Sequence, residues 1–149
     1  MSAICIITAR GGSKRIPRKN IRDFLGKPVI AYSIEAALES RLFEEVMVST
    51  DDEEIRDIAL AHGAQVPFLR SEATANDYAT TADVLNEVLN QYEQMGRTFA
   101  ILSCVYPAAP FVTAAKLREG YRLLSESDAD AVTPVTAYSY PPQRAFVLR

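Results

Sequence analysis

Short apolar runs and stretches of helical periodicity alternate along this 149-residue chain. The apolar runs are too short for helices, and their continuous apolar character predicts strands that are buried on both faces. They cover residues 3–8, 45–50 and 99–105, with shorter runs at 64–66, 131–135 and 145–148. Predicted strands are thus distributed over the whole chain.

Helices are predicted between these runs. The first begins at Pro28, whose fixed φ suits a first helical turn, and its apolar residues recur at i, i+4, i+7 and i+8 from Ile30. The others begin at capping signals, which are Thr50 with Glu53, Thr80 with Asp83, and Thr113. Gly63 and Gly96 follow the last periodic residues of two helices, so we expect them to end those helices.

Strands that alternate with helices indicate right-handed βαβ units, a mostly parallel sheet and helices on both of its faces. We therefore expect a single domain over residues 1–149 with an α/β, three-layer αβα Rossmann-like fold. Ligands of such sheets bind beyond the carboxyl ends of the strands. Three loops are predicted to meet at that edge, at 9–20, 70–81 and 106–110.

The loop at 9–20, ARGGSKRIPRKN, concentrates positive charge. It holds five basic residues and no acidic one, whereas the whole chain has a formal net charge of −3, so −8 is left for the rest. A basic segment in an acidic chain suits a compact anion better than a duplex, because duplex binders spread their charge over a face. Gly11 and Gly12 would let an anion approach the main-chain amides, and phosphate fits this construction best.

Two common phosphate motifs are excluded by spacing. A Walker A loop needs G-x-x-x-x-G-K-[ST], but here Lys14 comes two residues after Gly12 and Arg15 follows it. The dinucleotide fingerprint G-x-G-x-x-G also fails, since the two glycines are adjacent and no third one follows. The loop is therefore predicted to be a different kind of phosphate cradle.

Composition narrows the class of protein further. No segment approaches the roughly 18 consecutive apolar residues of a membrane span, and the N-terminus lacks a secretory pattern, so a soluble, cytoplasmic protein is expected. Cys5 and Cys104 lie in apolar runs and are expected to be buried free thiols. His62, the single histidine, is expected to face the C-terminal carbonyls of a helix.

The chain also contains a set of longer sequence motifs. A strand followed by ARGGSKRIPRKNI closely resembles the signature of the CMP-sialic acid synthetase family of cytidylyltransferases, and GKPVIAYSIEAAL, VSTDDEEI, PFLR and DYATTADVL are similar to further family motifs. N-acylneuraminate enzymes of this family usually have glutamine before the proline of Tyr106-Pro107. Tyrosine there, with the later YPPQRA, resembles the pseudaminic acid cytidylyltransferases.

The resemblance implies a nucleotidyltransferase fold and the transfer of CMP from CTP to the anomeric hydroxyl of a nine-carbon 2-keto sugar acid, with release of pyrophosphate and with Mg²⁺ as cofactor. It also implies a homodimer for the full-length protein, and no membrane or nucleic-acid partner. The implied residues fall into three groups. The triphosphate contacts are Arg10, Gly11, Gly12, Ser13, Lys14 and Lys19, of which Arg10 and Lys19 are catalytic. The base and ribose contacts are Asn20, Arg70, and Thr80 or Thr81. The sugar-acid contacts are Tyr106, Gln143 and Arg144.

Several assignments stay open at this level. Arg15 and Arg18 are equally compatible with the surface and with the site, and Asp51 with Asp52 fits a helix dipole better than a metal. Asp128 and Asp130 have D-x-D spacing but precede a predicted strand. Family members are longer, so the metal carboxylates and much of the dimerisation region are expected beyond Arg149.

Rival functions follow from the same features. Another 2-keto sugar acid, N-acylneuraminate or 3-deoxy-manno-octulosonate, is the alternative within enzymes. A non-catalytic nucleotide-binding fragment is the alternative outside them, and a nucleic-acid protein is a distant third.

Overall fold

A computed structural model describes residues 2–137 of the chain. In chain order its elements are β1 (Ala3–Thr8), β2 (Asp23–Phe24), β3 (Lys27–Pro28), α1 (Val29–Ser40), β4 (Glu45–Ser49), α2 (Glu53–Ala61), α3 (Glu72–Ala75), α4 (Thr81–Gln94), β5 (Ile101–Val105) and α5 (Ala114–Ser125), with a 3₁₀ turn at Lys19–Ile21 before β2. The strands β4, β1 and β5 form a parallel sheet in that order, and β2 and β3 form a separate hairpin. The predicted parallel sheet is thus confirmed.

Strand β1 is central, and its side chains alternate between two cores. Cys5 and Ile7 face a cluster that includes Ile30 and Ile34 of α1, residues of α2 and the partly buried Leu117 of α5. On the opposite face, Ile4 and Ile6 pack with Met47 of β4 and with Val88 and Tyr92 of α4. Helices therefore cover both faces of the sheet, as expected of the three-layer αβα fold.

Three helix starts test the predicted caps. Thr80 and Asp83 form a reciprocal capping box at α4, and Thr113 accepts a hydrogen bond from the Lys116 amide at α5, so both predictions are confirmed. The Thr50 and Glu53 box is wrong. Asp52 caps α2 instead, because Thr50 is fully buried and its hydroxyl accepts a hydrogen bond from the Asp52 amide.

Other predicted helix ends are close to those observed. Pro28 precedes α1 as its N-cap residue rather than lying in the first turn. Gly63 and Gly96 have φ of +90° and +77°, the left-handed conformation that ends a helix, and His62 is the C-cap residue of α2. No helix among residues 2–137 is long and apolar enough to cross a membrane.

Two of the shorter predicted strands are corrected. The run at 64–66 makes only an isolated parallel bridge between Met47 and Gln65. The run at 131–135 forms no strand and is exposed, because no described strand lies beside it to pair with its backbone. Within the described residues no strand follows Asp128 and Asp130, and the run at 145–148 lies outside those residues.

The apolar run at 99–105 also differs from its prediction. It shortens to β5, which pairs with β1 on one edge only within the described part of the chain. Cys5 is buried as predicted, but Cys104 on β5 is exposed, so the prediction of two buried thiols is wrong for Cys104. An edge strand leaves one side and part of its faces uncovered, which periodicity cannot reveal.

Candidate functional site

The segments 9–20, 70–81 and 106–110 meet at the carboxyl edge of the sheet, where two adjoining cavities open. The larger measures about 630 Å³ and the smaller about 330 Å³, and they share Arg10, Lys19 and Asn20. The larger is further lined by Ser13, Lys14, Arg15, Ile16 and Asp77, and the smaller by Thr8, Arg70, Ala79, Thr80, Thr81, Val84, Tyr106, Pro107 and Ala108. The three predicted loops thus converge as expected.

Asp77 is the one carboxylate among the described residues that line the larger cavity. Its Oδ1 lies 2.7 Å from Arg10 Nη1, and its Oδ2 pairs with Lys14 Nζ. Hydrogen bonds from Lys14 and then Arg10 hold the pKa of Asp77 below the ordinary value of 3.8. Sequence reasoning missed this residue, although it begins the quoted DYATT segment and lies in one of the three loops.

Lys19 differs from these cations. It lines both cavities and is exposed, and no acidic partner lies within 4.0 Å of it among the described residues. An exposed ammonium that faces two connected cavities without an internal counter-ion is available to an anion.

Gly11 is fixed by the acidic pair after β4. Its amide donates a hydrogen bond of 2.9 Å to Asp51 Oδ1, and a Cβ added at Gly11 would lie 2.6 Å from Asp52 Oδ2. The expectation that this amide faces an anion is therefore wrong, because Asp51 already accepts from it. At Gly12, an added Cβ would meet no atom within 4 Å.

Arg15 and Arg18 have different surroundings in the structure. Arg15 lines the larger cavity, whereas Arg18 lines neither and donates through Nη1 and Nη2 to Asp52, with Glu54 as an additional partner. The hydrogen bond from Arg18 lowers the pKa of Asp52. Asp52 therefore serves the start of a helix, as predicted, whereas Asp51 binds the Gly11 amide.

Asn20 lines both cavities and has one polar atom that is unpaired in the described part of the chain. It is 6% exposed, and its Nδ2 donates to the Arg10 carbonyl at 2.9 Å. Its Oδ1 is buried and has no hydrogen-bond partner among the described residues. Since a buried unpaired acceptor is costly, this oxygen is suited to accept from a bound group.

Arg70 lines the smaller cavity together with Asn20 and is half-buried. Its Nε donates to Ser49 Oγ at 3.0 Å, and its Nη2 donates to the Ser49 carbonyl at 2.8 Å. Burial lowers the pKa of the guanidinium, which nevertheless stays charged at neutral pH. Arg70 is thus held by the end of β4 and is not a surface salt bridge.

Thr80, Thr81 and Tyr106 also line the smaller cavity. The Thr80 hydroxyl is occupied by Asp83 in the capping box, whereas Thr81 Oγ1 lies 3.5 Å from the Tyr106 hydroxyl. Buried Ser33, which sequence reasoning missed, donates to the Tyr106 carbonyl at 2.9 Å. Gln143 and Arg144 lie outside the described residues.

The residues present do not assemble a metal site. Within residues 2–137, no group of three or more His, Cys, Asp or Glu side chains could hold a metal ion. Asp77, the carboxylate in the larger cavity, is engaged by two cations. The described part of the chain therefore does not fit a resident Mg²⁺ on its own.

Fold and site together define an α/β protein with a cavity lined by cationic side chains at the carboxyl edge of its parallel sheet. A sequence model described as cytidylyltransferase matches residues 4–141, and the chain belongs to this family. It is 44% identical over 99% of its length to a pseudaminic acid cytidylyltransferase of Campylobacter jejuni, and 37% identical over 91% to a CMP-N,N'-diacetyllegionaminic acid synthase of Legionella pneumophila. The chain spans 64% and 60% of those relatives, respectively.

Solved structures agree with this placement. CMP:2-keto-3-deoxy-manno-octonic acid synthetase, complexed with CTP, superposes with a TM-score of 0.72 at 27% identity, covering 87% of this chain and 49% of that one. A cytidylyltransferase from Leptospira borgpetersenii superposes with a TM-score of 0.66 at 21% identity, over 86% of this chain and 50% of its own, and shows the shared fold. The predicted nucleotidyltransferase fold is confirmed.

Proposed function

We propose that this chain provides the CTP-binding part of a cytidylyltransferase that transfers CMP to the anomeric hydroxyl of a nine-carbon 2-keto sugar acid. The observation that carries the proposal is the pair of adjoining cavities that share Arg10, Lys19 and Asn20, of which the larger also has Lys14 and Arg15 and the smaller has Arg70. Together they match a nucleoside triphosphate, which has a compact polyanion at one end and a hydrogen-bonding base at the other.

In this proposal the triphosphate occupies the larger cavity. Arg10, Lys14 and Lys19 contact its oxygens together with Ser13, and Arg15 lies close enough on the lining to add charge. Charge-assisted hydrogen bonds contribute about 1.5–3 kcal/mol each, so two or three of them give useful affinity. Gly12 gives the ligand open space, while Gly11 acts by shaping the loop.

The base then lies in the smaller cavity. Asn20 Oδ1 accepts from the cytosine amino group, and the Arg70 guanidinium donates to the ring acceptors. Of the two threonines, Thr81 is the better ribose contact, since the Thr80 hydroxyl serves the capping box. These assignments favour a pyrimidine whose edge both donates and accepts.

The chemical step is a displacement at the α-phosphorus. The anomeric oxygen forms the new bond to phosphorus, the bond to the β-phosphate oxygen breaks, pyrophosphate leaves, and the hydroxyl proton is released. Arg10 and Lys19 stabilise charge on the α-phosphate and the leaving group, since such reactions depend chiefly on positioning and electrostatics. Mg²⁺ accompanies the triphosphate in this proposal, and no step is assigned to it.

Pseudaminic acid is the favoured acceptor. The support is the 44% identity to the Campylobacter jejuni relative and the exposed Tyr106 at the rim of the smaller cavity. Tyr106, with Gln143 and Arg144, contacts the sugar acid in this proposal, and Arg144 pairs with its carboxylate. A cytoplasmic homodimer in a longer form of the protein belongs to the same proposal.

Two measurements test the function. Calorimetry on the 149-residue chain should show CTP binding that is tighter than binding of ATP or GTP. Pyrophosphate release with CTP, Mg²⁺ and a panel of sugar acids, in the longest natural form, should be fastest with pseudaminic acid. Turnover with N-acetylneuraminate or 3-deoxy-manno-octulosonate alone would contradict the acceptor, and CTP binding without any release would favour a non-catalytic binding role.

A further inference from the structure

Arg18 belongs to the basic loop but not to either cavity. Its guanidinium donates to both carboxylate oxygens of Asp52, with the Nη2 to Oδ1 distance at 3.1 Å, and also pairs with Glu54. Asp52 is itself fixed, because its Oδ1 accepts from the Ile55 amide at 3.0 Å as the N-cap of α2. The side chain of Arg18 is thus attached to the first turn of a packed helix.

The backbone of Arg18 needs such an attachment. Its φ of 54° and ψ of 29° lie in the left-handed region, which is unfavourable for a residue with a Cβ. The 3₁₀ turn Lys19–Ile21 starts immediately afterwards, and the Ile21 amide donates to the Arg18 carbonyl at 3.1 Å. The direction in which the chain leaves Arg18 therefore decides where the next two side chains lie.

Those two side chains are the ones that both cavities share besides Arg10. Lys19 has no acidic partner among the described residues that would hold it in place, and Asn20 is attached through Nδ2 to the Arg10 carbonyl. The position of the Lys19 side chain therefore depends on the conformation of its own backbone. The side-chain attachments of its two sequence neighbours, Arg18 and Asn20, are the ones nearest to it along the chain.

We propose that Arg18 and Asp52 form a positioning pair that orients Lys19 and Asn20 toward the nucleotide without touching it. The pair acts through the left-handed backbone at Arg18, and it joins the cationic loop after β1 to the helix after β4. This inference rests on the proposed CTP site for its effect on affinity, but its effect on the order of the 3₁₀ turn is independent of any ligand.

The test compares four variants. Arg18→Ala removes the pair, Arg18→Lys keeps the charge but loses the two-pronged geometry, and Asp52→Asn keeps a good N-cap while removing the carboxylate. Arg22→Ala is the matched control, because Arg22 is an exposed arginine four residues further along whose side chain makes no described contact. Amide hydrogen exchange at 19–21 and calorimetric CTP affinity are measured on each.

Exchange at 19–21 should rise in Arg18→Ala and Asp52→Asn, and stay at the wild-type level in Arg22→Ala. CTP affinity should fall about tenfold in Arg18→Ala, less in Arg18→Lys, and less than twofold in the control. The loss caused by Lys19→Ala should also be smaller in an Arg18→Ala background, since a misplaced lysine has less to lose.

Different failures have different meanings. Unchanged exchange at 19–21 in both Arg18→Ala and Asp52→Asn would overturn the positioning pair, whether or not CTP binds. Fully additive losses for Arg18→Ala and Lys19→Ala would also overturn it, because positioning requires coupling. A wild-type chain that shows no CTP affinity would refute the proposed function, while raised exchange in the variants would still support the pair.

Discussion

The Asp77 carboxylate lies 2.7 Å from the Arg10 guanidinium inside the larger cavity and also binds Lys14. The adjoining Asn76 carbonyl accepts a second hydrogen bond from Arg10 at 3.0 Å. Two of the cations proposed to bind the triphosphate are therefore occupied by an internal anion. Any anionic ligand of this cavity has to compete with Asp77.

Asp77→Asn should strengthen CTP binding by about two- to fivefold, because it removes the competing charge from an exposed ion pair. Calorimetry at low and at physiological salt checks this, and the gain should shrink as salt screens the pair. Asp57→Asn is the control, since Asp57 also pairs with an arginine, Arg56, but on the surface of α2. Weaker binding in Asp77→Asn would show that the carboxylate orders the cations rather than competing for them.

Lys19→Ala should lower CTP affinity by about tenfold or more, in line with one charge-assisted contact, and should abolish turnover in a longer form of the protein. Thermal unfolding should be nearly unchanged, because Lys19 is exposed and makes no described ion pair. Lys116→Ala, a change of the same residue type on α5, provides the comparison. Full turnover in Lys19→Ala would remove this lysine from the site.

Gly11→Ala should destabilise the protein far more than Gly12→Ala. At Gly11 the new methyl group would lie 2.6 Å from Asp52 Oδ2, so either the loop or the cap of α2 has to move, whereas at Gly12 the space is open. Thermal unfolding of the two variants measures the difference directly. Equal melting temperatures would mean that the loop does not approach α2 this closely.

The stability contributed by Asp52 should depend on pH. The hydrogen bond from Arg18 holds its pKa below 3.8, so the contribution is fully present above that ordinary value and is lost as the pH falls through the lower folded-state pKa. Wild type should exceed Asp52→Asn by about 1 kcal/mol in free energy of unfolding near neutral pH. Denaturant titrations should show this difference closing well below pH 4. A difference independent of pH would exclude the ion pair as its source.

The two cysteines should differ in reactivity. Burial raises the pKa of Cys5 to about 12 and also raises the pKa of Cys104, but Cys104 is exposed to solvent, so it should be alkylated faster than the buried Cys5 in the folded chain. Mass spectrometry after brief treatment with iodoacetamide counts the modified sites, and Cys104→Ser should remove the fast reaction. Two unreactive thiols would indicate that another segment covers β5.

The three strands of the parallel sheet, most helix starts and the converging loops could be predicted because they depend on short-range chemistry. Apolar runs, the Thr80 capping box and helix-ending glycines act within a few residues, and the structure has them where expected. The predictions that were wrong concern positions whose structure depends on residues distant in sequence. The Thr50 cap failed because the buried Thr50 hydroxyl accepts from the Asp52 amide and Asp52 caps α2 instead, and the run at 131–135 has no described strand to pair with.

For the basic loop, the sequence by itself determined that five cations follow a buried strand in an acidic chain, since charge and periodicity are visible in one dimension. Only the tertiary structure decided the role of each. The partners come from residues 34 and more positions away, so Asp77 engages Arg10 and Lys14, Asp52 holds Arg18 away from the cavities, and Lys19 stays available. Coulomb and hydrogen-bond energies depend on distances of a few ångströms, and sequence separation does not specify such distances.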